Sequence, residues 1–308
     1  MKDTTASMTA MGVALMRSLH TRIDPKPLIN DHWGEQLVPA WVQDAMASRI
    51  PREDGSTTGE PPPQAVRDSV MRAHPAFSIV VLRARYTEDA LHDAIRRGVS
   101  QYVILGAGFD SYALRVPAEG RDLQIFEIDH PATQALKQQR IAECDIQLPD
   151  SVHFLAADLA EEELADVLRR SAFSPSQPAF FSWLGVTMYL TREANMATLA
   201  AIANCSAPDS EVVFSYVDQQ YFEQASGRDV EVFAQLQEAV SSMDEPFRSG
   251  FNPRELAGDL ANSGLLIEED IDDVALQQRY DPDDLNGFKS AVRSHIGRAS
   301  VKGIPAQR

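Results

Sequence analysis

Apolar residues recur at helical spacing through the first third of the chain and gather into short continuous runs after it. Met8, Met11, Leu15 and Leu19 share one face of a helix predicted over 6–19. A methionine-rich stripe of this kind packs a core or forms an adaptable cover over one. A second helix is predicted over 34–49, and "PREDGSTTGEPPP" (51–63) reads as a polar Pro/Gly loop. Helical pattern resumes over 64–96, interrupted near Pro75.

From Gln101 the period changes. "QYVILGAG" (101–108), "LQIFEID" (123–129), "VHFLAAD" (152–158), "AFFSWLG" (179–185) and "EVVFSYV" (211–217) are five strand candidates, separated by helical stretches at 130–143, 159–170 and 191–206. "PRELAGDLANSG" (253–264) adds a helix ending near Gly264, and "LLIEED" a sixth strand. Strands alternating with helices predict an α/β fold with a doubly wound, mostly parallel sheet. The expected organisation is an N-terminal helical cover (1–97) on a Rossmann-like core (98–308), with a polar segment, 218–250, as a lid insertion.

Composition narrows the partners. The formal net charge of −17 opposes binding to nucleic acid or an anionic membrane, where Lys and Arg must face phosphate. The two cysteines, Cys144 and Cys205, lie far apart, which fits a reduced compartment. The N-terminus lacks the apolar run of a secretory signal, and no apolar run is long enough to span a bilayer. A cytoplasmic protein is expected, and the Asn204-Cys205-Ser206 sequon is then a chance match.

The chemistry gathers at strand ends, where doubly wound sheets bind ligands. Gly106-Ala107-Gly108 follows the first strand, and glycines there let backbone N–H groups approach a ligand. Ser111 is expected to cap the next helix. The third glycine of a dinucleotide fingerprint is absent, since Ser111 stands there. Asp110 would repel a pyrophosphate at the helix start. A nucleoside ligand without phosphate fits better. Glu127 and Asp129 end the second strand roughly 20 residues on, where an acid meets ribose hydroxyls. Asp158 and Leu159 follow the third strand, placed to take an adenine amino group and ring nitrogen.

Together "YVILGAGFDSYALR", "FEIDHP", "AADL" and "GVTMYLT" resemble S-adenosylmethionine-dependent methyltransferases of the leucine carboxyl methyltransferase type, with their bacterial small-molecule relatives. The resemblance runs from "TAMGVALMRSLH" to about residue 217. It implies the class I methyltransferase sheet with N-terminal helices over the cofactor, S-adenosyl-L-methionine. In "RARYTED" it implies an arginine gripping the cofactor's methionine carboxylate, with Arg83 the best match and Arg85 the fallback. It further implies Gly106 at the methionine portion, Asp129 at the ribose and Asp158 with Leu159 at the adenine. One departure stands out: Leu184 occupies a position where many relatives carry glutamate, so either Trp183 or backbone is expected to take over, or the cofactor's amino group is held differently.

Methyl transfer from a sulfonium is an in-line displacement in which positioning lowers the barrier. A carboxylate acceptor needs no base; a phenol or alcohol usually does. His130 is expected near the ribose, His153 at the wrong end of the sheet, and no His/Cys cluster has metal spacing. The resemblance places Tyr189 near the acceptor, where its hydroxyl could orient an oxygen. Arg17 could add charge above the site, although a solvated position is the simpler expectation. The expected activity is O-methylation of a small-molecule carboxylate or hydroxyl, polyketide-like in character. Protein C-terminal carboxyl methylation, a dinucleotide-dependent oxidoreductase and a non-catalytic cofactor-binding protein are the alternatives.

Overall fold

The computed structural model describes residues 6–51, 61–117, 120, 122–159, 161–223, 228–289 and 293–302. Most of the predicted 51–63 loop and four residues of the 218–250 segment lie outside them. Five helices come first: α1 (Met8–Ile23), α2 (Trp33–Leu37), α3 (Ala40–Ala47), α4 (Gln64–Arg72) and α5 (Phe77–Arg96). The helix expected over 34–49 is two, divided where Pro39 stands as the residue before α3.

Seven strands form one sheet: β1 (Gln101–Leu105), β2 (Gln124–Asp129), β3 (Val152–Ala156), β4 (Ala179–Trp183), β5 (Glu211–Val217), β6 (Leu265–Asp272) and β7 (Ser294–Val301). Their order is β3-β2-β1-β4-β5-β7-β6. The first five run parallel, and β7 is antiparallel to both neighbours. The remaining helices are α6 (Pro131–Glu143), α7 (Leu164–Arg169), α8 (Arg192–Cys205), α9 (Gln220–Glu223), α10 (Arg228–Ser241), α11 (Leu256–Asn262) and α12 (Asp273–Tyr280). The doubly wound α/β expectation holds.

β1, β4 and β5 are buried along their whole length, which is why they read as unbroken apolar runs. Alternate residues serve opposite faces. Tyr102, Ile104 and Phe180 pack against α5 and α12, while Val103, Leu105 and Phe181 pack against α7, α8 and α11. The strand the sequence analysis missed, β7, is "SHIGRASV". Its apolar content is low because Gly297 must admit the ring of Phe214: a Cβ on Gly297 would lie 2.6 Å from that ring.

The 218–250 segment leaves and rejoins the core at one neck. The Gln219 N–H donates to the Phe251 carbonyl (2.9 Å) and the Phe251 N–H to that of Val217 (3.1 Å). Between them α9 and α10 fold back, so that the Arg248 N–H donates to the Met188 carbonyl (2.6 Å).

Candidate active site

β1 ends at Leu105 because the next three residues turn the chain sharply. The N–H groups of Gly106 and Ala107 both donate to the Ile128 carbonyl (2.9 and 3.1 Å), and Gly106 and Gly108 take φ of 66° and 52°. No side chain fits at either glycine. A Cβ on Gly106 would meet Val186 at 2.4 Å, and one on Gly108 would meet Ala10 of α1 at 2.8 Å. The N-terminal helices therefore press directly on the glycine turn.

Beyond the turn opens a cavity of about 460 Å³. Its walls come from α1, α5, the ends of β1 to β5 and the 218–250 segment. Arg83, Gly106, Asp129, Asp158, Leu159 and Tyr189 all line it. Arg85 does not. It faces away on α5, paired with Asp89 (2.9 Å) and donating to the Leu28 carbonyl.

Arg83 is buried, and among the described residues it makes no ion pair or side-chain hydrogen bond. Burial pulls its pKa down to about 10, so it is still charged at neutral pH. A cation held dry without a carboxylate is costly unless a ligand supplies one.

At the end of β2, Asp129 accepts from the N–H groups of Gly108 and His130, the latter at 2.6 Å. Burial raises its pKa, against those two donors. His130 caps α6, its Nδ1 accepting from the Ala132 N–H. The Asp158 carbonyl accepts from the N–H groups of Glu161 and Glu162 (2.9 and 2.8 Å), which fixes the turn carrying Leu159.

Several expectations are corrected. Glu127 does not share the site with Asp129. In register with Ile104 and Phe154, it lies back within the sheet, buried and paired with Lys137 of α6. Burial pushes its pKa up to about 7. Ser111 does not cap the next turn; Asp110 accepts from the Tyr112 N–H (2.8 Å) instead. That turn is a single 3₁₀ turn over Tyr112–Leu114, whose N-terminus already holds a carboxylate.

Arg17 is not solvated either. Buried, it donates to Asp31 (2.8 Å) and to the Phe109 carbonyl (2.8 Å) just after the glycine turn. Arg115, which donates to Ser111 and pairs with Glu88, extends this network along the cavity wall. His153 hydrogen-bonds Gln124 (2.9 Å) and stacks on Phe126, a packing role as expected. The Trp183 side chain is locked in the core, and Leu184 packs toward the α5 side of the sheet. Neither side chain carries a carboxylate. Among the described residues no three His, Cys, Asp or Glu side chains gather as a metal site.

Tyr189 ends a one-turn 3₁₀ helix, Thr187–Tyr189, after β4. Its ring lies 5.3 Å from that of Phe247, which stacks on Phe233 of α10. Thr9, near the start of α1, lines the same cavity. Burial and the charge of Glu245 raise the Tyr189 pKa to about 12.

The family profile described as leucine carboxyl methyltransferase matches residues 10–203, well over half the chain. The chain belongs to the leucine carboxyl methyltransferase family. It is 32% identical over 305 residues to the Bacillus subtilis (strain 168) protein YktD, provisionally named an S-adenosyl-L-methionine-dependent methyltransferase, covering 96% of this chain and 99% of that one. A provisionally named methyltransferase of the same kind from Mycobacterium marinum (strain ATCC BAA-535 / M) is 33% identical, covering 74% of this chain and 69% of that one. Two solved structures share the fold at a TM-score of 0.52 each. One is a DUF574 family protein of Streptomyces avermitilis MA-4680, 13% identical, covering 84% of this chain and 95% of that one. The other is a provisionally assigned methyltransferase of Thermobifida fusca YX, 15% identical, covering 80% and 91%. This leucine carboxyl methyltransferase family member is thus an S-adenosylmethionine-dependent methyltransferase. No helix among its described residues is long and apolar enough to cross a membrane.

Proposed function

We propose that this methyltransferase moves the methyl group of S-adenosylmethionine to an oxygen of a small organic acceptor, a carboxylate or hydroxyl of polyketide-like character. The observation that carries the reading is Arg83, a buried cation without a carboxylate partner among the described residues, facing the same cavity as the glycine turn. In this reading its guanidinium grips the methionine carboxylate through two parallel hydrogen bonds. Gly106 gives the methionine chain a close backbone approach. Asp129 accepts from the ribose hydroxyls, Asp158 from the adenine amino group, and the Leu159 N–H reaches a ring nitrogen. The cofactor supplies an electrophilic methyl carbon on a positively charged sulfur.

The chain's own task is then alignment and exclusion of water. In this reading helices α1 to α5 serve as the cover over the cofactor, and the segment rooted at Val217 and Phe251 serves as the lid. Tyr189, beneath that lid, orients the acceptor oxygen. Support for a small acceptor comes from the enclosure of the tyrosine by Thr9, Met188 and Phe247, all lining one cavity.

The test combines purified protein, methyl-labelled S-adenosylmethionine and fractionated bacterial metabolites. Label should appear in a small molecule, as a base-labile ester or a stable ether. Label on a protein C-terminus would replace this reading with the protein substrate, and tight cofactor binding without transfer would leave a binding protein.

A further inference from the structure

The short helix Thr187–Tyr189 is tied to the lid segment by one buried amide. Asn195, near the start of α8, is fully buried and stands outside the cavity wall. Its Nδ2 donates to the Thr187 carbonyl (2.9 Å) and to the Ser249 hydroxyl (3.1 Å). A carbonyl can only accept, so the amide atom facing Thr187 is the nitrogen, and both of its hydrogens are spent. Ser249 passes the contact on, donating to the Leu190 carbonyl (2.7 Å). Beside it the Arg248 N–H holds the Met188 carbonyl (2.6 Å). The carbonyls on both sides of Tyr189 are therefore bound to the end of the lid segment, and Asn195 fastens that end to the turn.

The other half of the amide does nothing comparable. Asn195 Oδ1 is buried with no hydrogen-bond partner among the described residues. An oxygen in that state counts against the folded protein, so what Asn195 contributes lies in its two hydrogens. On the cavity side, the ring of Phe247 lies 5.3 Å from that of Tyr189, two residues before Ser249. Farther out, Glu245 accepts from the Thr9 hydroxyl near the start of α1. From Glu245 to Ser249 the lid segment thus bridges α1 and the Tyr189 turn.

We propose, resting on the reading that Tyr189 orients the acceptor oxygen, that Asn195 is a positioning residue for methyl transfer. By holding the Tyr189 turn and the end of the lid together on α8, it sets where the tyrosine hydroxyl stands when the lid is seated. It touches neither cofactor nor acceptor and acts through Tyr189.

The test uses full-length parent protein, Asn195→Leu, Ser249→Ala, Tyr189→Phe and the double variant Asn195→Leu with Tyr189→Phe. With meta-fluorotyrosine incorporated and S-adenosylhomocysteine bound, Tyr189→Phe identifies the Tyr189 fluorine resonance among those of the seven tyrosines. That resonance should move or split in Asn195→Leu and in Ser249→Ala, while those of Tyr86 and Tyr102 in the core stay in place. S-adenosylhomocysteine affinity should stay within about twofold in both. Methyl transfer from labelled S-adenosylmethionine to fractionated bacterial metabolites should fall at least about tenfold in Asn195→Leu, the loss a misplaced orienting group produces. Adding Asn195→Leu to Tyr189→Phe should slow transfer no further, because a residue acting through the hydroxyl has no effect once the hydroxyl is gone. A Tyr189 resonance unmoved in both variants, or losses that multiply in the double variant, overturns the proposal. Transfer by Tyr189→Phe at the parent rate would instead sink the reading of Tyr189 beneath it.

Discussion

The guanidinium of Arg83 lies against the backbone of Gly185: a Cβ on that glycine would stand 2.6 Å from Nη2 and 2.9 Å from the central carbon. Gly185 also takes φ of 70°, and its N–H donates to Ser215 (2.8 Å). The turn after β4 thus sets where the cation sits. Gly185→Ala should push Arg83 aside and strain the backbone, weakening S-adenosylmethionine binding by about tenfold or more. Arg83→Met should weaken it further, since a charge-assisted bidentate contact is worth about 1.5–3 kcal/mol. Yet Arg83→Met should unfold no lower in temperature than the parent without ligand, because it removes a desolvated cation. Calorimetric titration and thermal unfolding of the same preparations check both halves.

Asp129→Ala makes the complementary case at the end of β2. The aspartate's two backbone hydrogen bonds are offset by the cost of holding it dry, the cost that raises its pKa. The ligand-free protein should keep its fold and its unfolding temperature to within a few degrees. Cofactor affinity should fall by about a hundredfold, because a buried ribose diol would lose its acceptor. Equal affinity in the two proteins would remove Asp129 from the ribose.

How the chain could be read follows from where each element lies. The strands β1, β2, β4 and β5 were legible because both their faces are covered, and Asp129 because its spacing from the glycine turn reflects one βα crossover. Spacing alone could not separate Asp129 from Glu127. Both end the same strand, but only register with Ile104 and the reach of Lys137 from α6 show that Glu127 belongs to the interior. Arg17 looked like any helix-face cation, because its partner Asp31 sits in a loop with no pattern of its own. β7 was missed since the glycine that admits Phe214 erases its alternation. The Thr9–Glu245 contact joins residues 236 apart in sequence, a separation at which no local pattern speaks.

Glu127 and Lys137 yield a pH prediction. The folded protein holds the Glu127 proton up to about pH 7, whereas the unfolded chain releases it near the ordinary value of 4.5. Between these values the native state binds more protons, so this group's contribution to stability is full below about 4.5 and lost as pH rises through 7. Replacing the pair by Glu127→Leu with Lys137→Met should flatten that fall by on the order of 2 kcal/mol. Lys137→Met alone should be strongly destabilising at pH above 7, because it leaves a buried carboxylate unpaired. Urea unfolding at pH 5 and pH 8 measures the difference; parallel curves for parent and double variant would refute it.

Arg17 and Asp31 behave oppositely. Burial alone would raise the Asp31 pKa, but the charges of Arg17 and Arg115 outweigh it and hold the carboxyl below its usual range. Its contribution is therefore present above the ordinary value of 3.8 and lost as pH falls through the lower folded value. Arg17→Met leaves Asp31, which is 0% exposed, without its main counter-charge and should cost about 3–5 kcal/mol at neutral pH. It also frees the Phe109 carbonyl beside the glycine turn, so S-adenosylmethionine should bind more weakly even in molecules that fold. Because the unpaired carboxyl then takes up a proton more readily, the stability gap between variant and parent should narrow on going from pH 7 to pH 4. Adding Asp31→Asn should restore part of the stability at neutral pH and remove that narrowing. Denaturant unfolding of the three proteins at both pH values decides the matter, and a gap that widens on acidification would show that the pair is not what holds α1 against the site.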